Sequence, residues 1–195
     1  MINRISEIIA FFLLNKKVIK REELEIYIYG YEVLISSLID FSIVLLFAAV
    51  FNKVIFLTIF FVMFVSIRIY TGGYHAETFF KCKIVFIMIC LLLVITSYID
   101  VLLIPMIIIM ILYNATVFFL APVENINKPL SICEKSKYRR ISVVLSLLWT
   151  AIAVITYFYF AEICQSITVT ALIIAVMMIV GKNINGKEVR KNEIQ

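Results

Sequence analysis

Residues 101–121 read VLLIPMIIIMILYNATVFFLA, a stretch without a single charged side chain. A helix needs about 20 mainly apolar residues to cross the hydrocarbon core of a bilayer, so this stretch alone predicts a transmembrane helix. The whole 195-residue chain has the same character, since 64% of its residues are hydrophobic and only 16% are charged. Soluble domains are roughly half apolar and about a quarter charged. The composition therefore predicts an all-α polytopic membrane protein and excludes a soluble globule, a disordered chain and a disulfide-rich secreted domain.

Long apolar runs with few charges predict six transmembrane helices behind an amphipathic N-terminal segment. The predicted spans are residues 24–51, 54–70, 82–99, 101–121, 141–160 and 163–180. Residues 1–23 form an interfacial segment, because Ile5, Ile8 and Phe12 recur at helical spacing while Arg4 and Glu7 lie elsewhere on the helix. These segments use nearly all of the chain, so residues 1–195 are predicted to form a single integral-membrane domain.

The positions of the basic residues predict which way the spans face. Of the 18 Lys and Arg residues, 17 fall before the first span, after the second, after the fourth or after the last, and only Lys53 falls on the other side. Connections rich in Lys and Arg stay in the cytoplasm. Both termini, a loop at residues 68–82 and a basic loop at residues 122–140 are therefore predicted to be cytoplasmic. Basic patches there suit an anionic membrane surface or an acidic substrate better than a nucleic acid.

One loop contains the main candidates for catalytic residues. Residues 68–82 read RIYTGGYHAETFFKC and contain the one histidine of the chain, His75, and one of its four cysteines, Cys82. A cysteine nucleophile needs a base, usually histidine, and donors that stabilise an oxyanion. Backbone N–H groups near Gly72 and Gly73 can approach a substrate closely, because glycine has no side chain. The loop therefore favours a site with Cys82 as nucleophile and His75 as base over the alternative of an interfacial histidine beside an ordinary cysteine.

The spacing of His75 and Cys82 predicts an interruption of the helix between them. Residues seven apart on one continuous helix are separated by about 10.5 Å along its axis, whereas a nucleophile and its base need a hydrogen bond of about 3 Å. We therefore expect a break or re-entrant turn over residues 70–78, with the third spanning helix beginning before Cys82. Two flanking lysines and the N-terminus of that helix would favour the thiolate.

Three acidic residues are candidates for a third catalytic member. Glu32 and Asp40 lie eight residues apart on the first span, within about 80° of one another around the helix, and ionisable residues inside a membrane are functional candidates by default. Glu77 is nearer in sequence to the loop. Each of the three could orient His75 or contact a basic group such as Arg68.

Two other classes of function stay open at this point. A transporter or channel for a small peptide or an ion would use polar side chains within the spans, such as Asp40 and Asn114, but no inverted repeat is visible. A membrane scaffold without enzymatic activity would leave the His–Cys loop unexplained. Cys90 and Cys164 are predicted to be small apolar fillers, and Cys133 an incidental thiol.

The loop and a second segment together resemble the AgrB (accessory gene regulator protein B) family. The pattern RxxxGGYHAxT followed by Cys82 comes first, and residues 121–130, APVENINKPL, then match a Pro-x-acid-x-x-Asn-Lys-Pro connection. The resemblance covers essentially the whole chain. It implies a membrane-embedded cysteine endopeptidase of Gram-positive quorum sensing, which trims the C-terminal part of an AgrD-type precursor peptide. Such proteins assist in making a cyclic autoinducing peptide, usually a thiolactone.

The resemblance also implies roles for single residues. Cys82 matches the nucleophile and His75 the general base, and Arg68 and Gly73 match positions that support the site or place the substrate. It implies a thioester acyl-enzyme and a homodimer in the cell membrane, and the predicted orientation of the spans puts the active site at the cytoplasmic face. Neither a metal nor an organic cofactor is needed for this chemistry, and no nucleic acid partner is expected.

Overall fold

The computed structural model describes residues 2–72, 79–99, 102–123 and 131–192. Over these ranges it contains seven α-helices and a short 3₁₀ helix, and it contains no strand. The helices are α1 (Ile2–Asn15), α2 (Leu24–Val50), α3 (Val54–Thr71), α4 (Phe79–Thr96), α5 (Leu103–Leu120), α6 (Ile132–Tyr159) and α7 (Ala161–Asn192), and the 3₁₀ helix is Arg21–Glu23. The predicted all-α fold is confirmed.

Five helical segments among the described residues are long and apolar enough to cross a membrane. They are Arg21–Val50, Val54–Thr71, Leu103–Leu120, Ile132–Tyr159 and Ala161–Ile184. Helix α4, with 18 residues, overlaps the third predicted span and begins three residues before it. The helices thus agree with a polytopic membrane protein, while the count of six spans and their orientation stay predictions.

Helix α6 begins earlier than the predicted span, because its N-terminus is capped inside the basic segment. The hydroxyl of Ser131 accepts a hydrogen bond from the backbone N–H of Glu134 at 3.3 Å, and the Glu134 carboxylate accepts one from the N–H of Ser131 at 2.9 Å. This reciprocal pair is a capping box. The helix therefore starts at Ile132, and the basic residues 135–140, which we assigned to a loop, lie on its first turns.

The chain divides into two compact units, Met1–Leu46 and Phe47–Gln195. In the second unit α7 is the central helix: it packs against α3, α5 and α6, and more lightly against α4. Its buried side chains include small residues such as Ser166 and Ala171, which let neighbouring helices approach closely in a membrane. The Ser166 hydroxyl also donates to the carbonyl of Phe56 on α3 at 2.7 Å.

Hydrogen bonds connect the ends of several helices at one end of the second unit. The Lys53 ammonium, just before α3, donates to the carbonyl of Ser97, just after α4, at 3.3 Å. The side-chain amide of Gln165, near the start of α7, donates to the carbonyls of Thr96 and Ile99. The C-terminus of α4 therefore lies beside the starts of α3 and α7. Helices α3 and α4 each run without a break away from this end. The first turn of α4 and the last turn of α3 therefore both lie at the opposite end of the second unit.

Candidate active site

Helix α3 ends at Thr71 because Gly72 leaves the helical conformation. The N–H of Gly72 still donates to the carbonyl of Arg68 at 3.1 Å, but its φ is 67° and its ψ is −145°. A positive φ is costly for a residue with a side chain and costs glycine little. Since α4 begins at Phe79, before Cys82, the helix boundaries agree with the predicted interruption.

A backbone contact joins this turn to the segment that follows α5. The N–H of Val123 donates to the carbonyl of Thr71 at 2.8 Å, and Gly72 and Val123 form an isolated parallel β-bridge. A Cβ atom at position 72 would overlap the carbonyl oxygen of Val123, so the approach requires glycine. This contact of Thr71, Gly72 and Val123, here called the backbone clamp, joins one residue pair of the motif at residues 68–82 to one residue of the motif at residues 121–130.

Arg68 lies one helical turn before the clamp and contacts both a ring of its own helix and a side chain of α7. Its guanidinium carbon is 5.1 Å from the centroid of the Phe64 ring, a cation–π distance. Its Nη1 donates to the sulfur of Met177 on α7 at 3.2 Å, and thioether sulfur is a weak acceptor. The contact with Met177 ties the end of α3 to α7, and the role of Arg68 in the site stays a prediction.

Cys82 lies in the first turn of α4, three residues after Phe79, and its side chain is partly exposed. One turn further on, Phe86 is buried, and its ring centroid is 6.1 Å from those of both Phe60 and Phe64 on α3. Residues four apart share a helix face, so Cys82 lies on the face of α4 that packs towards α3. The nucleophile candidate is therefore at the same end of the second unit as the clamp.

Burial distinguishes the four cysteines, all of which are free thiols. Cys90 and Cys164 are buried, which fits their predicted role as apolar fillers, and the Cys164 thiol contacts the sulfur of Met106 at 3.5 Å. Cys133 is exposed near the start of α6. Only Cys82 combines partial exposure with a place on the helix end beside α3.

Several predicted site residues fall outside the described part of the second unit. His75, Gly73 and Glu77 lie outside the described residues, so the His–Cys pair stays a prediction. Glu32 and Asp40 lie on α2 in the first unit, where both are half-buried. The described part of the site therefore consists of Cys82, Arg68 and the backbone clamp.

The sequence analysis missed two residues of this site, Thr71 and Val123. Their contribution is a backbone hydrogen bond, and such a bond leaves no mark on side-chain patterns. The available signal was the second motif, residues 121–130, which was noted for its resemblance and given no structural role. Over the described ranges, no group of three or more His, Cys, Asp or Glu side chains could hold a metal ion.

The comparisons with known proteins give one match. The family model described as Accessory gene regulator B (AgrB) matches residues 5–179. No curated protein and no solved structure matches the chain. The matched range includes both motifs, the clamp and Cys82, and it runs from the first helix into the last.

Proposed function

Because the chain belongs to the AgrB family, whose members process autoinducer precursors in the membrane, we propose that it is a cysteine endopeptidase acting on a small AgrD-type precursor peptide. One observation carries the proposal: Cys82 lies in the first turn of α4 at the end where the clamp terminates α3. The connection that carries His75 joins these two points. The nucleophile and its base are thus proposed to meet at this end of the protein, at the cytoplasmic face of the cell membrane.

The place of Cys82 at a helix start suits acyl transfer. The first four N–H groups of an α-helix have no acceptor within the helix, so they can stabilise negative charge close to the N-terminus. In acyl transfer that charge develops on the attacked carbonyl oxygen. The first turn of α4 could therefore supply both the sulfur nucleophile and part of an oxyanion hole, with further donors from the glycine turn.

The first proposed step breaks the peptide bond. His75 accepts the thiol proton of Cys82 as the sulfur attacks the carbonyl carbon of the precursor, and a tetrahedral intermediate forms. When it collapses, the C–N bond breaks, and His75 passes the proton to the departing amine. The C-terminal fragment leaves with a free amine, and the N-terminal part stays on Cys82 as a thioester.

The second proposed step closes the ring. A thiol within the bound peptide attacks the thioester carbonyl, the Cys82 sulfur leaves as a thiol after taking up the proton of the attacking group, and a thiolactone forms. The step exchanges one thioester for another, so it requires no oxidant, metal or cofactor. Exclusion of water from a membrane-edge site allows ring closure to compete with hydrolysis.

The basic turns of α6 offer a place for an acidic part of the precursor. The ring of Tyr138 packs edge-on against that of Tyr70 near the end of α3, with centroids 5.7 Å apart, so the start of α6 lies beside the site. Exposed basic side chains flank this contact, namely Lys135, Lys137, Arg139 and Arg140. Such a patch attracts acidic peptides by an interaction that salt weakens. A homodimer and an acidic third catalytic member (Glu77, Asp40 or Glu32) belong to the same proposal.

Alkylation of Cys82 is expected to stop cleavage, because the modified sulfur can no longer attack a carbonyl. The experiment uses Cys133→Ser protein in liposomes, since exposed Cys133 would otherwise react by virtue of exposure alone. N-ethylmaleimide should label Cys82 before the buried Cys90 and Cys164, and activity should fall in proportion to the Cys82 label. Excess precursor should slow the labelling of Cys82.

Two results would speak against the peptidase and for another class of protein. Undiminished release of the C-terminal fragment with Cys82 fully labelled would remove the nucleophile from the mechanism. Movement of intact precursor across the liposome membrane, with no fragment formed, would indicate a transporter.

A further inference from the structure

We propose that the backbone clamp is a positioning element of the peptidase site, which fixes where the His75-bearing connection leaves α3. The inference rests on the proposed function and adds the segment after α5 to the site. The residues that act are Thr71, Gly72 and Val123, through backbone groups. None of the three is proposed to touch the reacting atoms.

The first argument is the hydrogen bond at the end of α3. The last four carbonyl groups of an α-helix receive no hydrogen bond from an N–H of the same helix. Thr71 is the last residue of α3 and is fully buried. Its carbonyl accepts the N–H of Val123 at 2.8 Å. Leaving a buried acceptor without a hydrogen-bond partner lowers the stability of the folded state. This bond therefore holds the end of α3 against the segment that follows α5.

The second argument is the closeness of the two backbones at Gly72. A Cβ atom there would overlap the carbonyl oxygen of Val123 and lie 3.2 Å from its carbonyl carbon. The positive φ of Gly72 also favours glycine. Glycine at this position therefore permits both the turn out of α3 and the approach of Val123.

The third argument is that both halves of the clamp are attached to helix ends. Beside Val123, the N–H of Ala121 donates to the carbonyl of Val117 at 3.0 Å, and both of these residues are buried. On the other side, the hydroxyl of Thr71 donates to the carbonyl of Ile67 at 3.2 Å. Since α3 and α5 both pack against α7, the clamp joins two elements that are already fixed.

The other end of the connection is fixed independently. Helix α4 is held by the contact of Phe86 with Phe60 and Phe64, and none of these residues belongs to the clamp. Opening the clamp would therefore displace the start of the connection and leave Cys82 in place. A displacement of about 1 Å in a catalytic group can cost on the order of 10²-fold in rate. The turnover number should fall while precursor binding is retained.

Val123→Pro tests the hydrogen bond directly, with Val123→Ala as its matched control. Proline has no N–H to donate to Thr71, whereas alanine keeps the donor and removes only side-chain atoms. We expect Val123→Pro to lower kcat for precursor cleavage by about 10- to 100-fold with little change in KM, and Val123→Ala to stay within about threefold of the parent. In a Cys133→Ser background, Cys82 should reach complete maleimide labelling in both variants, because its place on α4 does not depend on the clamp.

Gly72→Ala tests the close approach by a second route, with Gly30→Ala as the control. A Cβ at Gly30, on α2, would meet no atom within 4 Å, in contrast to Gly72. Gly72→Ala should therefore lower kcat at least as strongly as Val123→Pro, while Gly30→Ala should cleave at the parent rate. If the proline variant fails to insert into the membrane, the comparison of Gly72→Ala with Gly30→Ala still tests whether the clamp positions the site.

Three outcomes would overturn the proposal. A parent-like kcat in an inserted Val123→Pro or Gly72→Ala protein would show that the clamp does not position the site. Equal losses in Val123→Pro and Val123→Ala would assign the effect to the side chain. Absence of both Val123→Pro and Gly72→Ala from the membrane would make the clamp a folding requirement only. Failure of the proposed function would look different, because the parent protein would then release no fragment.

Discussion

Cys82→Ala is expected to abolish release of the C-terminal fragment from the precursor, with a loss of about 10⁴-fold or more. Alanine has no nucleophile to form the thioester, and removal of a nucleophile typically costs this much or more. The variant should insert into the membrane normally, because the side chain is only partly buried. The measurement is fragment release from purified precursor by protein in liposomes, normalised to the amount of inserted protein.

The other three cysteines supply matched controls for this change. Cys133→Ala alters an exposed thiol and should leave the rate unchanged, while Cys90→Ala and Cys164→Ala alter buried thiols. The two buried changes should lower stability by about 1 kcal/mol, because each removes one packed atom, and leave the rate per folded molecule unchanged. Cleavage by Cys82→Ala at a rate comparable to the parent, or loss of cleavage in Cys133→Ala, would contradict the assignment.

His75→Ala is expected to reduce cleavage by about 10²- to 10⁴-fold, since general acid–base catalysis typically contributes this much. His75 is the one histidine of the chain, so no second imidazole is available to replace it. The assay is single-turnover cleavage with protein in excess, which isolates the chemical step from product release. Tyr74→Phe, a conservative change at the preceding position, should cleave at close to the parent rate.

Two comparisons separate a lost base from a disturbed loop. If His75→Ala only disturbs the loop, Tyr74→Phe should also be impaired and precursor binding should weaken in both. If His75 is the base, His75→Ala should bind precursor as the parent does and fail in the chemical step. Retention of half or more of the parent single-turnover rate in His75→Ala would remove histidine from the mechanism.

The spanning helices were predictable because a bilayer imposes one simple requirement on sequence. A segment without charges and long enough to cross the core must be helical, since its backbone polar groups find no partners in lipid. Residues 101–121 satisfied this condition, and α5 occupies Leu103–Leu120. The requirement predicts nothing about residues outside the membrane, so it did not predict that α7 continues to Asn192, beyond the predicted end at residue 180.

The start of α6 carries a local capping signal in the sequence, which the high charge of the following residues led us to overlook. Basic residues 135–140 were assigned to a loop on charge alone, although Ser131 followed three residues later by Glu134 is a capping-box pattern. The structure contains that box. Charge density indicates the side of the membrane on which a segment lies, and it does not decide whether the segment is helical.

The candidate site was predictable in its chemistry and not in its architecture. The need for His75 and Cys82 to meet predicted a helix interruption, and α3 does end at Thr71. The sequence did not distinguish Gly72 from Gly73, because both lack a side chain. The sequence analysis also did not predict the clamp, because the bond between Val123 and Thr71 joins backbone atoms of segments that are distant in the chain.

The central claim is that Cys82 carries the N-terminal part of the precursor as a thioester during turnover. Intact-protein mass spectrometry after an acid quench tests it most directly, using a precursor whose ring-forming cysteine is replaced by alanine so that the thioester cannot be resolved by cyclisation. The protein should gain the mass of the precursor minus its C-terminal fragment, the adduct should map to Cys82, and hydroxylamine should remove it. Release of the fragment without any adduct, or an adduct on another residue, would contradict the account.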